Sequence, residues 1–192
     1  MALLISGLVV FFAAHIFSAT RARGPGDIKE RLGYGPYMGL YSLVSAVGLT
    51  LMIYGYGLSR GIPVWDPPVW TRHLPLSLMV FSMILLVAAY TPTGYIKEWS
   101  KHPYLLAVKI WAASHLLSNG DLASIFLFGA FLAYAVFDRI MLKRRGDVGA
   151  QGAAASFTWD MVAIGAGTGL YALIAFYLHE ILFGIAVVAP LY

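Results

Sequence analysis

Polar and apolar positions fall in long blocks along this chain, not in the short alternations of a soluble fold. An apolar run from Ala2 to Phe17 is followed by Arg21, Arg23, Lys29 and Arg31. Further runs cover Tyr37–Leu58, Leu74–Tyr90, Pro103–Leu117 and Leu122–Ile140, and a last one begins near Thr158 and reaches His179-Glu180. Roughly 20 apolar residues make a membrane-spanning helix. The pattern therefore predicts an all-α, polytopic transmembrane bundle of about six helices, near 2–17, 37–58, 74–90, 103–117, 122–140 and 158–180. The connections follow from their residue types. Gly24-Pro25-Gly26 reads as a turn. Asp27 with Glu30 three residues on reads as a capping-box-like start to a short interfacial helix. The Ser59–His73 stretch, with Pro63, Pro67 and Pro68, is too proline-rich for a helix, and Trp65 and Trp70 suit the membrane interface. Tyr95–Ser100 reads as an amphipathic connector and Gly146–Ser156 as a small-residue linker. Ile181–Tyr192 reads as interfacial or re-entrant.

Composition supports the same architecture. Of 192 residues, 60% are hydrophobic and 11% charged, against about 25% charged in soluble domains. Mean hydropathy is +0.76. Six spans use the whole length, so residues 1–192 read as one membrane domain. The absence of cysteine excludes disulfides, thiolate catalysis, iron–sulfur clusters and Cys-based zinc sites.

The net charge of +4 sits in short loops, which excludes a nucleic-acid surface and points to topology and anionic lipid. The first, third and fifth loops carry four, two and four Lys/Arg (the last counting Arg139 at the end of the fifth run), whereas the second and fourth carry two and none. This asymmetry predicts both termini on the outer side, periplasmic if the membrane is a bacterial inner membrane. No basic region precedes the first run, so it reads as an uncleaved span and not a signal peptide. The bilayer is the first expected partner, and an apolar small molecule the second.

The fourth run carries the most chemistry. It holds His102, Lys109, Trp111 and His115 and ends in Ser118-Asn119-Gly120-Asp121. Leu105–Leu117 covers only about 20 Å at 1.5 Å per residue, so this turn is expected below the membrane surface. Ionisable groups inside spans are costly and mark sites. His15 lies among Phe11, Phe12, Ala13, Ala14 and Ile16, and His115 among Trp111, Ala112 and Leu116. One reading is interhelical hydrogen bonding of two neutral imidazoles. The other is a cofactor between spans one and four, with both imidazoles as axial ligands of haem iron. Helical spacing places Trp111, Ser118 and Asn119 with His115, and His102 with Lys109 on another face, suited to a lipid head group, a haem propionate or an anion. The two histidines are expected about 10 Å apart in depth unless span four is sunk or tilted. Asn119-Gly120-Asp121 reads either as a turn capping span five or as a support orienting His115. His73, and the His179-Glu180 pair, read as interfacial.

The segment His102-Pro103, Lys109-Ile110-Trp111-Ala112-Ala113-Ser114-His115-Leu116-Leu117-Ser118-Asn119-Gly120-Asp121-Leu122-Ala123-Ser124 and Phe128-Gly129 resembles the signature of the NnrU family. His15 ahead of Arg21, Gly33, Tyr41-Ser42-Leu43 and Leu182-Phe183-Gly184 extend the resemblance over essentially the whole chain. That family is similar to 15-cis-ζ-carotene isomerases, membrane enzymes with haem b. The resemblance implies haem ligation by His15 and His115 and a link to denitrification and nitrogen-oxide metabolism. Its alternative implication is cis–trans isomerisation of a carotenoid or other polyene. Two departures stand out: Leu58-Ser59-Arg60 offers no third histidine ligand, and alanine replaces the cysteine between Trp111 and His115. A ligand switch through those groups is therefore not expected. Lys101-His102-Pro103-Tyr104 is also similar to the R-H-P-x-Y segment of membrane methyltransferases, but the carboxylate pair that follows it there is missing.

Overall fold

Helix α1 (Ala2–Thr20) and helix α3 (Tyr34–Gly57) meet through glycines. A Cβ on Gly7 would stand 2.5 Å from the Met52 nitrogen, and one on Gly48 would stand 2.7 Å from the Phe11 nitrogen. Small residues let two backbones approach where lipid gives no hydrophobic drive. Leu4, Leu8, Phe12, Met52 and Ala123 form the core beside this contact. Between the two helices lies the short α2 (Ile28–Leu32), whose N-cap Asp27 accepts from the Lys29 amide. Glu30 reaches back to the Gly26 amide at 3.0 Å, so the capping pair exists with its return bond one residue early. Gly33 alone separates α2 from α3, and Tyr34–Pro36 lie in the first turn of α3.

The remaining helices are α4 (His73–Tyr90), α5 (Tyr95–Ser100), α6 (Pro103–Ser118), α7 (Leu122–Arg144), α8 (Phe157–Leu173) and α9 (His179–Phe183). A π-turn at Ile174–Leu178 joins α8 to α9. The computed structural model describes residues 1–21, 24 and 26–187. Arg23 and Pro25 of the first basic loop, and residues 188–192 of the apolar tail, lie outside the described residues. Among the described residues, five helical stretches are long and apolar enough to span a membrane: Ala2–Thr20, Tyr34–Gly57, Val69–Tyr90, Leu122–Arg144 and Phe157–Phe183. The expected fourth span, α6, has 16 residues, about 24 Å of helix. The chain is an all-α integral membrane protein.

The helices stand in a row by contact: α3 on α1, α1 on α7, α7 on α6, α6 on α4, α4 on α8. Helix α7 thus separates an α1–α3 pair from an α6–α4–α8 group, with α1 and α6 on either side of it. Ser82 of α4 donates to the Ala107 carbonyl of α6 at 2.9 Å, and Tyr171 of α8 donates to the Leu76 carbonyl of α4 at 2.9 Å.

The short α6 is completed at its C-terminal end by loop packing. The tryptophan-rich loop is largely irregular, closing with a 3-10 turn at Val69–Arg72. It folds onto the Asn119-Gly120-Asp121 turn. The Val64 and Trp65 amides donate to the Gly120 carbonyl (2.8 and 3.1 Å), and the Leu122 amide donates to Ile62 (2.9 Å). A side chain at Gly120 would collide with the Trp65 carbonyl. Asp121 caps α7, accepting from the Ser124 amide (3.0 Å) and hydroxyl (2.5 Å). Ser124 in turn bonds Tyr56 of α3 at 2.9 Å. The turn is therefore an N-cap and a clamp for the loop.

Candidate functional site

A cavity of about 630 Å³ opens between α1, α6 and α7 near the end of the bundle that carries the basic loops. Its α1 wall is Phe11, His15, Ser18 and Ala19. Its α6 wall is Tyr104, Leu105 and Val108, and its floor is Phe131, Tyr134, Ala135, Asp138 and Leu142 of α7. The residues on each helix recur at three- and four-residue spacing, so each set is a single helical stripe. Lys97, Lys101, His102 and Arg145 stand around the mouth with Gly149 and Ala150.

His15 is set by its own helix. Its Nδ1–H donates to the Phe11 carbonyl at 2.7 Å. A carbonyl can only accept, so a neutral ring has its proton on Nδ1 and leaves Nε2 a free lone pair. This is the arrangement found on metal-bound histidines, whose other nitrogen is fixed by a backbone oxygen. The ring stacks on Phe11 (centroids 4.0 Å) and lies 5.1 Å from Tyr41 and 5.6 Å from Tyr134. His115 repeats the design: Nδ1–H donates to the Trp111 carbonyl at 2.8 Å, and its ring lies 4.7 Å from Phe128.

The two imidazoles are not in contact. Phe11 lies 5.7 Å from Phe131, Phe131 lies 5.3 Å from Trp111, and Trp111 lies 5.6 Å from His115. An aromatic layer of Phe11, Phe131, Trp111 and Phe128 thus stands between the cavity and His115.

The mouth is built around a strained turn. Lys101 has φ 62° and ψ −53°, and the His102 amide donates to the Ser100 carbonyl at 2.6 Å. That is a γ-turn of the rare, strained kind. The Gly146–Ser156 linker holds it: the Ala150 amide donates to the Lys101 carbonyl at 3.1 Å, and His102 Nε2 lies 3.3 Å from the Asp147 carbonyl. Lys97 Nζ donates to the Ala89 and Thr91 carbonyls at the end of α4 (2.9 and 2.7 Å). Arg145 donates through one guanidinium nitrogen to the Ala19 carbonyl, while its Nε is buried without a partner.

The model of the family described as NnrU protein matches residues 3–187. The chain belongs to the NnrU family. No curated protein and no solved structure matches it.

In this NnrU-family chain the singled-out residues have different fates. His15 and His102 line the cavity; His115, Trp111, Asn119 and Lys109 do not. Trp111 belongs to the aromatic layer. Asn119 Nδ2 donates to the backbone carbonyl of His115 at 2.8 Å, so it closes the end of α6 and leaves the ring to Trp111. Asp121 is occupied with Ser124. His102 and Lys109 do not share a face, contrary to their seven-residue spacing. His102 is the N-cap of α6 with φ −128° and ψ 71°, and the helical angle does not extend to a residue outside the helix. His179 follows the π-turn, its Nδ1 donating to the Ile185 carbonyl at 2.9 Å.

Sequence reasoning missed Asp138, Tyr134 and Phe131. Asp138 carried a usable signal, being an acid inside an apolar span. The aromatic residues carried none, because they look like any lipid-facing stripe.

Proposed function

We propose that this protein binds haem b in the cavity, where His15 Nε2 would hold the iron and Lys101, His102 and Arg145 at the mouth would take its carboxylates. The observation that carries this reading is the neutral-side imidazole of His15 in the wall of a 630 Å³ cavity, a volume within the ~300–1,000 Å³ of ligand sites. Two further features agree. The buried Arg145 Nε lacks a partner and suits a carboxylate. Phe11, Tyr41, Tyr104, Phe131 and Tyr134 bring aromatic rings to the cavity walls. When bound, the haem would supply a redox-active iron able to take a diatomic ligand, which fits the link to nitrogen-oxide metabolism in a bacterial inner membrane with the basic loops on the cytoplasmic side.

The chain's own contribution is positional. Phe11 and its carbonyl hold the imidazole, the aromatic layer keeps water from the cavity's far end, and the linker fixes the mouth. Full-length protein purified in detergent from haem-supplemented cells is expected to show a Soret band. His15→Ala should remove it. His115→Ala should retain it, because the aromatic layer separates His115 from the cavity. Colourless wild-type protein from such cells would overturn the reading.

A second reading has one specific support. The cavity itself is lined by the rings of Phe11, Tyr41, Tyr104, Phe131 and Tyr134, a surface suited to a conjugated polyene. For a haem-dependent cis–trans isomerase, co-expression with a carotenoid pathway should shift the isomer ratio seen by pigment chromatography. An unchanged ratio counts against it.

A further inference from the structure

Two cations on the other side of α6 and α7 take no part in the cavity. Val108 and Asp138 line it, but their neighbours Lys109 and Arg139 do not. One residue turns a helix by about 100°. Because α6 and α7 run antiparallel, both turns lead to the same flank of their contact, opposite the cavity. Arg139 has its guanidinium Nη1 buried with no hydrogen-bond partner, and no hydrogen bond or ion pair engages Lys109 among the described residues.

The two cations also share a depth. Lys109 lies six residues beyond Pro103, the first residue of α6, and Arg139 six before Arg145, the C-cap of α7, each about 9 Å of helix. Besides α6, the helices packed on α7 are α1 and α3, and α1 supplies His15 to the cavity side. Helix α4 meets α6 at Ala107, two residues and so about 200° from Lys109, so among the described residues no helix covers the flank with Lys109 and Arg139, which lies near the basic-loop end of the bundle. Exposed Lys143, one turn beyond Arg139, extends the positive strip toward the surface.

Like charges within a span repel, and a buried guanidinium donor left without an acceptor is costly. An anion between them relieves both terms. The opening is lateral, into lipid, and basic crevices between spans on the positive side of a membrane protein select acidic head groups. We propose that the α6–α7 flank binds the phosphate of an acidic phospholipid, bridged by Lys109 and Arg139, as a resident lipid distinct from any ligand of the cavity.

The test uses full-length protein in detergent, exchanged with phosphatidylglycerol or phosphatidylcholine and analysed by native mass spectrometry for retained lipid. Wild type should retain phosphatidylglycerol over phosphatidylcholine. Lys109→Met should weaken retention about fivefold, and Lys109→Met with Arg139→Gln about thirtyfold, from roughly 1 kcal/mol per cation. Lys29→Gln, on α2, should change nothing. Lys109→Met replaces a bilayer-facing cation by an apolar chain and is expected to fold, so it decides the matter even if the double variant aggregates. Equal retention by wild type and Lys109→Met overturns the proposal. Displacement of the lipid by millimolar inorganic phosphate also overturns it, by showing a free-anion site. The Soret region is expected to be the same in all these variants, which separates failure here from failure of the cavity reading.

Discussion

Gly55→Ala should destabilise the protein by about 3 kcal/mol, near the top of the range for overpacking. Gly39→Ala, in the same helix, should be neutral or stabilising. A Cβ at Gly55 would overlap the Leu4 nitrogen and crowd the Leu4 Cα and Leu3 carbonyl carbon. These are backbone atoms of α1 and cannot swing away as a side-chain tip does. Relief requires α1 and α3 to separate, which also disturbs the Gly7 and Gly48 contacts along the same seam. Gly39 has nothing within 4 Å of its would-be Cβ, so alanine there recovers the 0.5–1 kcal/mol that glycine costs in a helix. Thermal unfolding in detergent should show Gly55→Ala melting about 6–12 °C below wild type, from roughly 2–4 °C per kcal/mol. Equal midpoints for the two variants would show that the seam is not a close backbone contact. Since α1 carries His15 and α3 carries Tyr41, separation of the pair should also loosen the cavity wall.

How much of this was legible in the sequence depends on the range of the interaction concerned. Span positions follow from apolar run length, a local property, and the helices lie within a few residues of their expected bounds. The short α6 was legible too, because its length is counted directly. The glycine seam was half legible: Gly39 and Gly48 look alike in sequence, yet only Gly48 touches α1. Which small residue faces a neighbour depends on the row order of the helices, and that order is a non-local property.

The site divides in the same way. His15 and His115 stand out as ionisable groups in apolar runs, and their i−4 hydrogen bonds follow from helix geometry. The aromatic layer between them arises only when α7 inserts between α1 and α6, and nothing local encodes that insertion. His102 shows the limit of periodicity. Its seven-residue spacing from Lys109 implied one face, but the proline after it starts the helix at Pro103 and leaves His102 as a cap. It turns into the cavity, while Lys109 turns to the lipid. The fold therefore separates the polar residues of α6 into three environments: the cavity mouth, the aromatic layer and the bilayer flank.

The mouth depends on a residue far from it in sequence. Asp160, 5% exposed in the first turn of α8, accepts from the Tyr95 amide at 3.0 Å and the Ile96 amide at 2.9 Å. These are the first-turn donors of α5, which no side chain of α5 or its N-cap satisfies. Gly94 is required beside them because a Cβ there would overlap the Asp160 carboxylate. The Ser156 amide also donates to the Thr93 carbonyl at 3.1 Å. The start of α8 thus fixes the start of α5, and α5 delivers Lys97 and the Lys101 γ-turn to the cavity. Asp160→Ala leaves two amide donors without their charged acceptor, a loss of about 2–4 kcal/mol for bonds of this kind. Asp160→Asn keeps one acceptor oxygen and turns an amide toward the other donor, so it should lose about half as much. Hydrogen exchange at Tyr95 and Ile96 is expected to accelerate in Asp160→Ala by a larger factor than exchange in α1 or α3. A strained turn needs its surroundings to hold it, so Lys101 should relax and the mouth widen in the same variant. If exchange at Tyr95 and Ile96 stays at the wild-type rate, then α5 is held by its membrane contacts, and Asp160 contributes no more than an ordinary buried acid.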